Sequence, residues 1–406
     1  MSRDHLVFAE QAWYDSLTYV DGAPAGVETR TVAGAARRRS DAGGPTVTSA
    51  SASLLPPGTV PAGTEPSLAD LRRHWDRIAV VLDDAARGRG GGVRSVRLVV
   101  RRQTRLVRIG GQLCWHDTQR RIRATVIVDP GPGGAGAYTS IAARGPDELD
   151  EAELVTGAES AAERARWHAG GRPAPDRPLP IVLTGAAAGV FIHEALGHAL
   201  EADNAAGAGA AGLRPGDRVT LAALTVLDDP AAAASWASQP RDDEGVPGER
   251  TMLVEDGVVR GCLHTTATAA AAGELPRGNG RCDEYGSVPL ARMTTTYARP
   301  TGRSTAEMLA ALPEAIICSG LSGGQADVAS GRLGFTATQV AYARNGTPLH
   351  PLRPLQIGGR ARDLLGRLEA VGDDLFCAPA VCVKRGQLAR VTMGAPTLVL
   401  APERAR

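Results

Sequence analysis

The chain has 406 residues, 43% of them hydrophobic and 22% charged, enough at about 100–200 residues per domain to bury two cores. Its 45 Lys+Arg and 44 Asp+Glu leave a formal net charge of +1, so no whole-molecule field draws in nucleic acid or an anionic membrane surface. No segment offers the ~20 uninterrupted apolar residues of a membrane span, six cysteines without a CxxC pair do not resemble a disulfide framework, and the start MSRDHLVFAEQAW lacks a signal peptide's apolar run. A soluble protein of the reducing cytoplasm is the expectation. Lys384 is the sole lysine among the 45 basic residues, a skew read as coding composition and given no function.

Residues 1 to about 65 are rich in Ala, Gly, Ser, Thr and Pro and read as loops and short strands. Ser67 with Asp70 forms a capping-box-like start, and Leu68, Leu71, Trp75, Ile78 and Leu82 recur at helical spacing up to Gly88. Beyond it Val96, Leu98 and Val100, and later Ile122, Ala124, Val126 and Val128, alternate with other residues as half-buried strands do. Arg105–Ile109 and a Gly110-Gly111 turn complete a small antiparallel meander with arginines on its wet face. A second helix is expected from Asp147 to Trp167. Gly170 to Pro180, with paired glycines and internal prolines, is the linker candidate, dividing the chain into 1–180 and 181–406. Ile181–Thr184 reads as a short buried strand and GAAAG as the lead into a helix. The C-terminal part reads as mostly β, with hairpin turns at Asp256-Gly257, Asn345-Gly346 and Arg385-Gly386, interrupted by one helix that Ser304 and Glu307 cap and Met308, Leu309 and Leu312 bury.

The chemistry concentrates at HEALGH, 193–198, where two histidines stand five residues apart with Glu194 directly after the first. Zinc proteases of the familiar kind space their histidines i, i+4 on one helix face. Five steps turn a regular helix by about 140° from the first ring, so both histidines reach one ion only if the helix widens to a π-bulge or breaks at Gly197. The bland alternative is a pair of ordinary histidines on an Ala-rich helix, satisfied by backbone carbonyls. Three polar groups in so apolar a segment argue for a function. A catalytic zinc needs a third protein ligand, and spacing leaves His116, His264, His350, the six cysteines, Glu201 and Asp203 all open.

HEALGHALEAD (193–203), DDEGVPGE (242–249), GNGR (278–281), RMTTTY (292–297), SGGQAD (322–327) and CVKRGQ (382–387) occur in an order that resembles the TldD/PmbA (TldE) metallopeptidases, once called modulators of DNA gyrase. The resemblance covers about residues 180 to 400. It implies an α+β fold: a shortened N-terminal α/β domain, then a mostly antiparallel β domain carrying an irregular metal-binding helix. It also implies a Zn²⁺ held by His193, His198 and Cys382, Glu194 as general base, and hydrolysis of unfolded or leader peptides bound as an extended strand. The implied assembly is a homodimer, or a heterodimer with a TldE-like subunit. Cys114, Cys262, Cys282, Cys318 and Cys377 match no ligand position and read as core packing, while His264 and His350 read as surface residues. Oxyanion donors are not identified; the Gly and Asn of 278–281 and Tyr297 read as structural.

Three other functions compete. A non-catalytic TldE-like partner has no need of all three ligands. An arginine-mediated nucleic-acid protein is suggested by Arg94 to Arg123, but aromatic stacking residues are scarce there. A zinc enzyme redirected to natural-product biosynthesis is a third, because a shortened N-terminal half opens the cleft.

Overall fold

The computed structural model describes residues 6–41, 44–51, 68–90, 92–109, 112–129, 136–144, 148–205, 213–232, 235–327 and 329–403. Ser67, Gly110-Gly111 and Asp147 lie outside these residues. The chain forms two compact units: Met1–Ala169 with Asp243–Gly245 and Cys282–Pro289, and Gly170–Asp242 with Val246–Arg281 and Leu290–Arg406. Among the described residues no helix is long and apolar enough to cross a membrane.

The first unit is an antiparallel sheet of β1 (Leu6–Val20), β2 (Ala23–Asp41), β3 (Gly44–Ser51), β4 (Gly92–Ile109), β5 (Gln112–Asp129) and β6 (Ala137–Ala143), in the order β3-β2-β1-β4-β5-β6. Helices α1 (Leu68–Gly88) and α2 (Glu151–His168) bury Trp75, Ile78, Leu82, Leu154 and Ala158 against Leu17, Tyr19, Val96 and Val126 of its strands. Asp150 caps α2, its side chain accepting from the Ala152 and Glu153 amides. The loops and short strands expected before residue 65 are instead long strands, with β1 of 15 and β2 of 19 residues. Buried positions on both faces of these strands include Ala9, Ala12, Ala35 and Ala36, all fully buried, so no apolar–polar alternation is left to read. An Asp21-Gly22 turn with both φ positive joins the two strands.

Two further expectations change. Val96–Val100 and Arg105–Ile109 are one continuous strand, β4. The meander's arginines are not all on a wet face: Arg105 is 1% exposed and pairs with Asp243 at 2.5 Å and Asp117 at 3.3 Å, and Arg121 is buried too. The covering carboxylate comes from DDEGVPGE, far along the chain, so strand periodicity cannot announce it.

The second unit has two main sheets. One runs β10-β9-β8-β13-β20-β19, from β8 (Val226–Asp228), β9 (Thr251–Glu255), β10 (Val258–Val259), β13 (Thr295–Ala298), β19 (Phe376–Lys384) and β20 (Gln387–Ala395). The other runs β16-β15-β14-β7-β21-β18, from β7 (Leu179–Leu183), β14 (Ala315–Asp327), β15 (Arg332–Arg344), β16 (Thr347–Leu352), β18 (Leu368–Val371) and β21 (Leu398–Glu403), with β17 (Leu355–Arg360) paired to β15. A two-stranded ribbon joins β11 (Gly280–Arg281) to β12 (Leu290–Ala291). Pairing is antiparallel except for β13 with β20 and β7 with β14. The expected turns at Asp256-Gly257, Asn345-Gly346 and Arg385-Gly386 all have positive φ at both residues, the twist-matched hairpin geometry. Short helices α4 (Ala202–Ala205), α5 (Thr266–Ala272) and α7 (Ala361–Gly366) accompany the expected α6 (Thr305–Ala310).

Helix α3 (Gly185–Ile192) contacts β14 on one side and β19 and β20 on the other. It is apolar all round, and Ala187, Ala188, Phe191 and Ile192 are fully buried, as a helix held between two sheets must be. A Cβ on Gly189 would stand 3.1 Å from the Met393 backbone, so glycine lets helix and strand touch main chain to main chain.

Candidate metal centre

At the end of α3 the backbone widens: His193–Gly197 form a π turn, in which the His198 amide donates to the His193 carbonyl, and His198–Leu200 tighten into a 3₁₀ turn. The i→i+5 bond supplies the extra residue per turn that the five-residue spacing demands. The two rings end 4.9 Å apart, centroid to centroid, at 82° to one another. Gly197 has ordinary helical φ; what it supplies is room, because a Cβ there would lie 2.0 Å from Met293 Sδ.

Cys382 arrives from β19, three residues before Arg385 of the Arg385-Gly386 hairpin. The β19 position is the sheet's edge, and Arg292 secures it by donating to the Cys382 carbonyl at 2.8 Å and the Gln387 carbonyl at 3.0 Å. Cys382 Sγ is 3.3 Å from His198 Nε2, and one potential ligand atom from each of His193, His198 and Cys382 lies within 4.8 Å of the others. All three residues are at most 8% exposed.

The electrostatics favour the thiolate, the ligand form, of Cys382, and without a metal the protonated form of His198, whose proton a bound ion would displace. Burial by itself raises the Cys382 thiol, but hydrogen bonding and charge from the His193 and His198 rings hold it down to about 5. Burial opposes charge on His198 as well, yet the Glu201 carboxylate, 2.9 Å from Nδ1, and the Cys382 sulfur lift it well above its usual range. Glu201 is fully buried, and the cations around it, His198 first, hold it at about 2 against that burial. Among the described residues His193 Nδ1 is buried without a hydrogen-bond partner, a costly state that a ligand would relieve. Two imidazoles and a thiolate form the borderline-soft donor set that suits zinc. The residues fit the ion.

Glu194 projects from the same turn into a solvent-open cleft, lined also by His198, Leu213, Asp327, Leu333 and Arg360. Among the described residues its carboxylate has no hydrogen-bond partner. A Cβ at Gly324 would stand 3.3 Å from Glu194 Cγ and Oε1, so the bare backbone of SGGQAD makes the space in which that side chain lies. His116 is exposed, His264 bonds Thr268 at 3.2 Å, and His350 stacks on Tyr342 with centroids 5.1 Å apart; none joins the cluster. Cys318 is buried, but Cys377, expected in the core, is exposed near the start of the edge strand; the Cys114 side chain lies outside those described.

The family model of the PmbA/TldA metallopeptidase C-terminal domain matches residues 176–402, more than half of the chain. The chain belongs to the PmbA/TldD family. It is 34% identical over 217 residues to a metalloprotease of Methanocaldococcus jannaschii, covering 53% of this chain and 48% of that one. It is 31% identical over 225 residues to a metalloprotease TldD homolog of Buchnera aphidicola, covering 55% and 47%. The chain thus spans about half the length of the curated relatives it matches. In fold it is similar to TldE from Thermococcus kodakarensis, with a TM-score of 0.77, 17% identity and 99% and 96% of the two chains covered. A Thermotoga maritima protein described as a putative modulator of a DNA gyrase gives a TM-score of 0.73 at 18% identity, covering 98% and 96%.

In this member of the PmbA/TldD family, much of the motif set is scaffold. Asp228, fully buried, accepts from Asn279 Nδ2 at 2.7 Å, the Thr294 amide and hydroxyl at 2.8 Å, and the Thr296 hydroxyl at 2.7 Å, tying GNGR to RMTTTY. Asp242 of DDEGVPGE accepts from the Gly280 amide at 2.8 Å. The sequence assigns no role to Asp228 or Arg292, marks Lys384 only as a compositional skew and offers Glu201 only as a ligand. A glutamate three residues after a candidate ligand histidine, and a single lysine beside a candidate ligand cysteine, were the available signals.

Proposed function

We propose that this chain is a zinc metallopeptidase in which His193, His198 and Cys382 hold the ion and Glu194 is the general base. The observation that carries the reading is the convergence of three buried ligand side chains within 4.8 Å, beside a free carboxylate on a cleft wall. When bound, zinc supplies Lewis acidity and brings the pKa of a water towards ~7. Glu194 accepts the proton from the attacking water and returns it to the departing amine. Glu201 keeps the His198 ring turned with Nε2 towards Cys382, since Nδ1 is engaged by its carboxylate.

The substrate class is unfolded or leader peptide in extended form. The edge position of β19, which carries Cys382, supports strand addition beside the reacting centre. A homodimer or a pairing with a TldE-like subunit in the cytoplasm completes the proposal. The complete ligand triad weighs against the chain being itself the metal-free partner.

The test is elemental analysis with peptide-library cleavage for the wild type, Glu194→Gln and Cys382→Ala. Glu194→Gln is expected to keep zinc and lose about 10²-fold or more of turnover, and Cys382→Ala to lose zinc. Cleavage by Glu194→Gln at the wild-type rate would refute the assigned role.

A further inference from the structure

Arginine fills 44 of the 45 basic positions of this chain, and the one lysine, Lys384, has a 6%-exposed side chain next to the candidate metal centre. Its ammonium lies 2.6 Å from Asp203 Oδ1, 2.9 Å from the Ala291 carbonyl and 3.0 Å from Glu201 Oε2. Three acceptors thus meet the three N–H donors of an ammonium. No guanidinium nitrogen carries more than two N–H groups, and a planar fork spreads its donors rather than converging them. The site asks for lysine in a chain that otherwise uses arginine throughout.

The acceptors belong to the segment that follows His198 and to β12, whereas Lys384 lies on β19, two residues from Cys382 and therefore on the same strand face. Glu201, fully buried, receives His198 Nδ1 at 2.9 Å and Asn204 Nδ2 at 3.1 Å on the oxygen that also meets Lys384. Arg292 approaches its other oxygen only to 3.9 Å. Among the lysines and arginines, Lys384 is thus the closest to a carboxylate that cannot remain buried and charged without a cation, and it keeps that role when His198 is a neutral ligand.

We propose that Lys384 is a positioning residue of the metal centre. Its ammonium fixes Glu201, and through it the His198 ring, against the strand that carries Cys382. Arginine does not replace it. This rests on the reading that the triad binds metal.

The experiment measures Zn²⁺ affinity by competition with a chromophoric chelator, and the thiolate-to-metal absorption of the Co²⁺-loaded protein. It compares the wild type with Lys384→Arg, which keeps the charge and loses the convergence, and with Lys384→Met/Glu201→Gln. The double variant removes the Lys384 and Glu201 charges together, so the fully buried Glu201 is not left as an unpaired carboxylate. Each variant is expected to lose 10- to 100-fold in Zn²⁺ affinity and to shift the Co²⁺ spectrum while unfolding cooperatively. An Arg variant within twofold of the wild type, with an unchanged spectrum, overturns the positioning role while leaving the metal reading intact. Failure of the wild type itself to take up zinc or cobalt sinks both.

Discussion

Gly197→Ala isolates the packing that makes the widened turn possible. The added Cβ would sit 2.0 Å from Met293 Sδ and 2.8 Å from its Cε, where apolar contact begins near ~3.5 Å, a shortfall of about 1.5 Å. Met293 is fully buried, and its carbonyl is held by Arg281 at 2.5 Å, so only the thioether end can yield. That end is adaptable, which places the cost in the usual overpacking range of about 1–3 kcal/mol, or a fall of about 2–10 °C in Tm. Whatever displacement the thioether does not absorb passes to the turn. His198 is the next residue, and metal ligation tolerates only about 0.2 Å, so zinc affinity should drop tenfold or more. Thermal unfolding of the metal-free protein and chelator competition read the two effects separately. Met293→Ala is destabilising alone through its cavity, but the pair Gly197→Ala/Met293→Ala should be more stable than the sum of the single effects by at least about 1 kcal/mol. A Gly197→Ala protein with wild-type Tm and zinc affinity, or strict additivity in the cycle, would refute the reasoning.

Two further predictions lie away from the ligands. Burial first, then the nearby Arg164 charge, lowers His168 from 6.5 to about 4, so the unfolded chain binds its proton before the folded one. The associated stability is present above pH 6.5 and is lost as pH falls towards 4, on the order of 3 kcal/mol in all; His168→Gln should flatten that slope in denaturant titrations from pH 7 to 4, and parallel curves would contradict the assignment. Asp228→Ala strands buried donors from Asn279, Thr294 and Thr296 and should cost at least about 3 kcal/mol in urea unfolding; a loss under about 1 kcal/mol would show that the donors find other partners.

What the sequence disclosed follows from how far each signal travels along the chain. Helix α1 was readable because its buried stripe lies within one amphipathic segment. The strands before residue 51 were not, because buried alanines do not alternate visibly, and because in β1, β4 and β5 polar residues such as Glu10, Gln103, Arg105 and Gln119 are buried as well. There the sheet's second face is packed against polar partners, so the rule that polar means outward fails. Arg105 is the clearest instance: its counter-charge, Asp243, lies 138 residues away.

The candidate metal centre divides along the same line. The conflict between a five-residue histidine spacing and a regular helix is local, and it demands an irregular helix, either widened or broken at Gly197. The residues that brace that turn belong to ordinary types and meet through the fold: Lys384 reaches Asp203 across 181 positions, and Arg292 reaches Cys382 across 90. A ligand is recognisable because its chemistry admits few residue types, whereas a brace is recognisable only once its acceptors have converged. Lys384 is the exception in principle, since a residue type used once is a local anomaly, and the three acceptors around its nitrogen supply the physical reason for that anomaly.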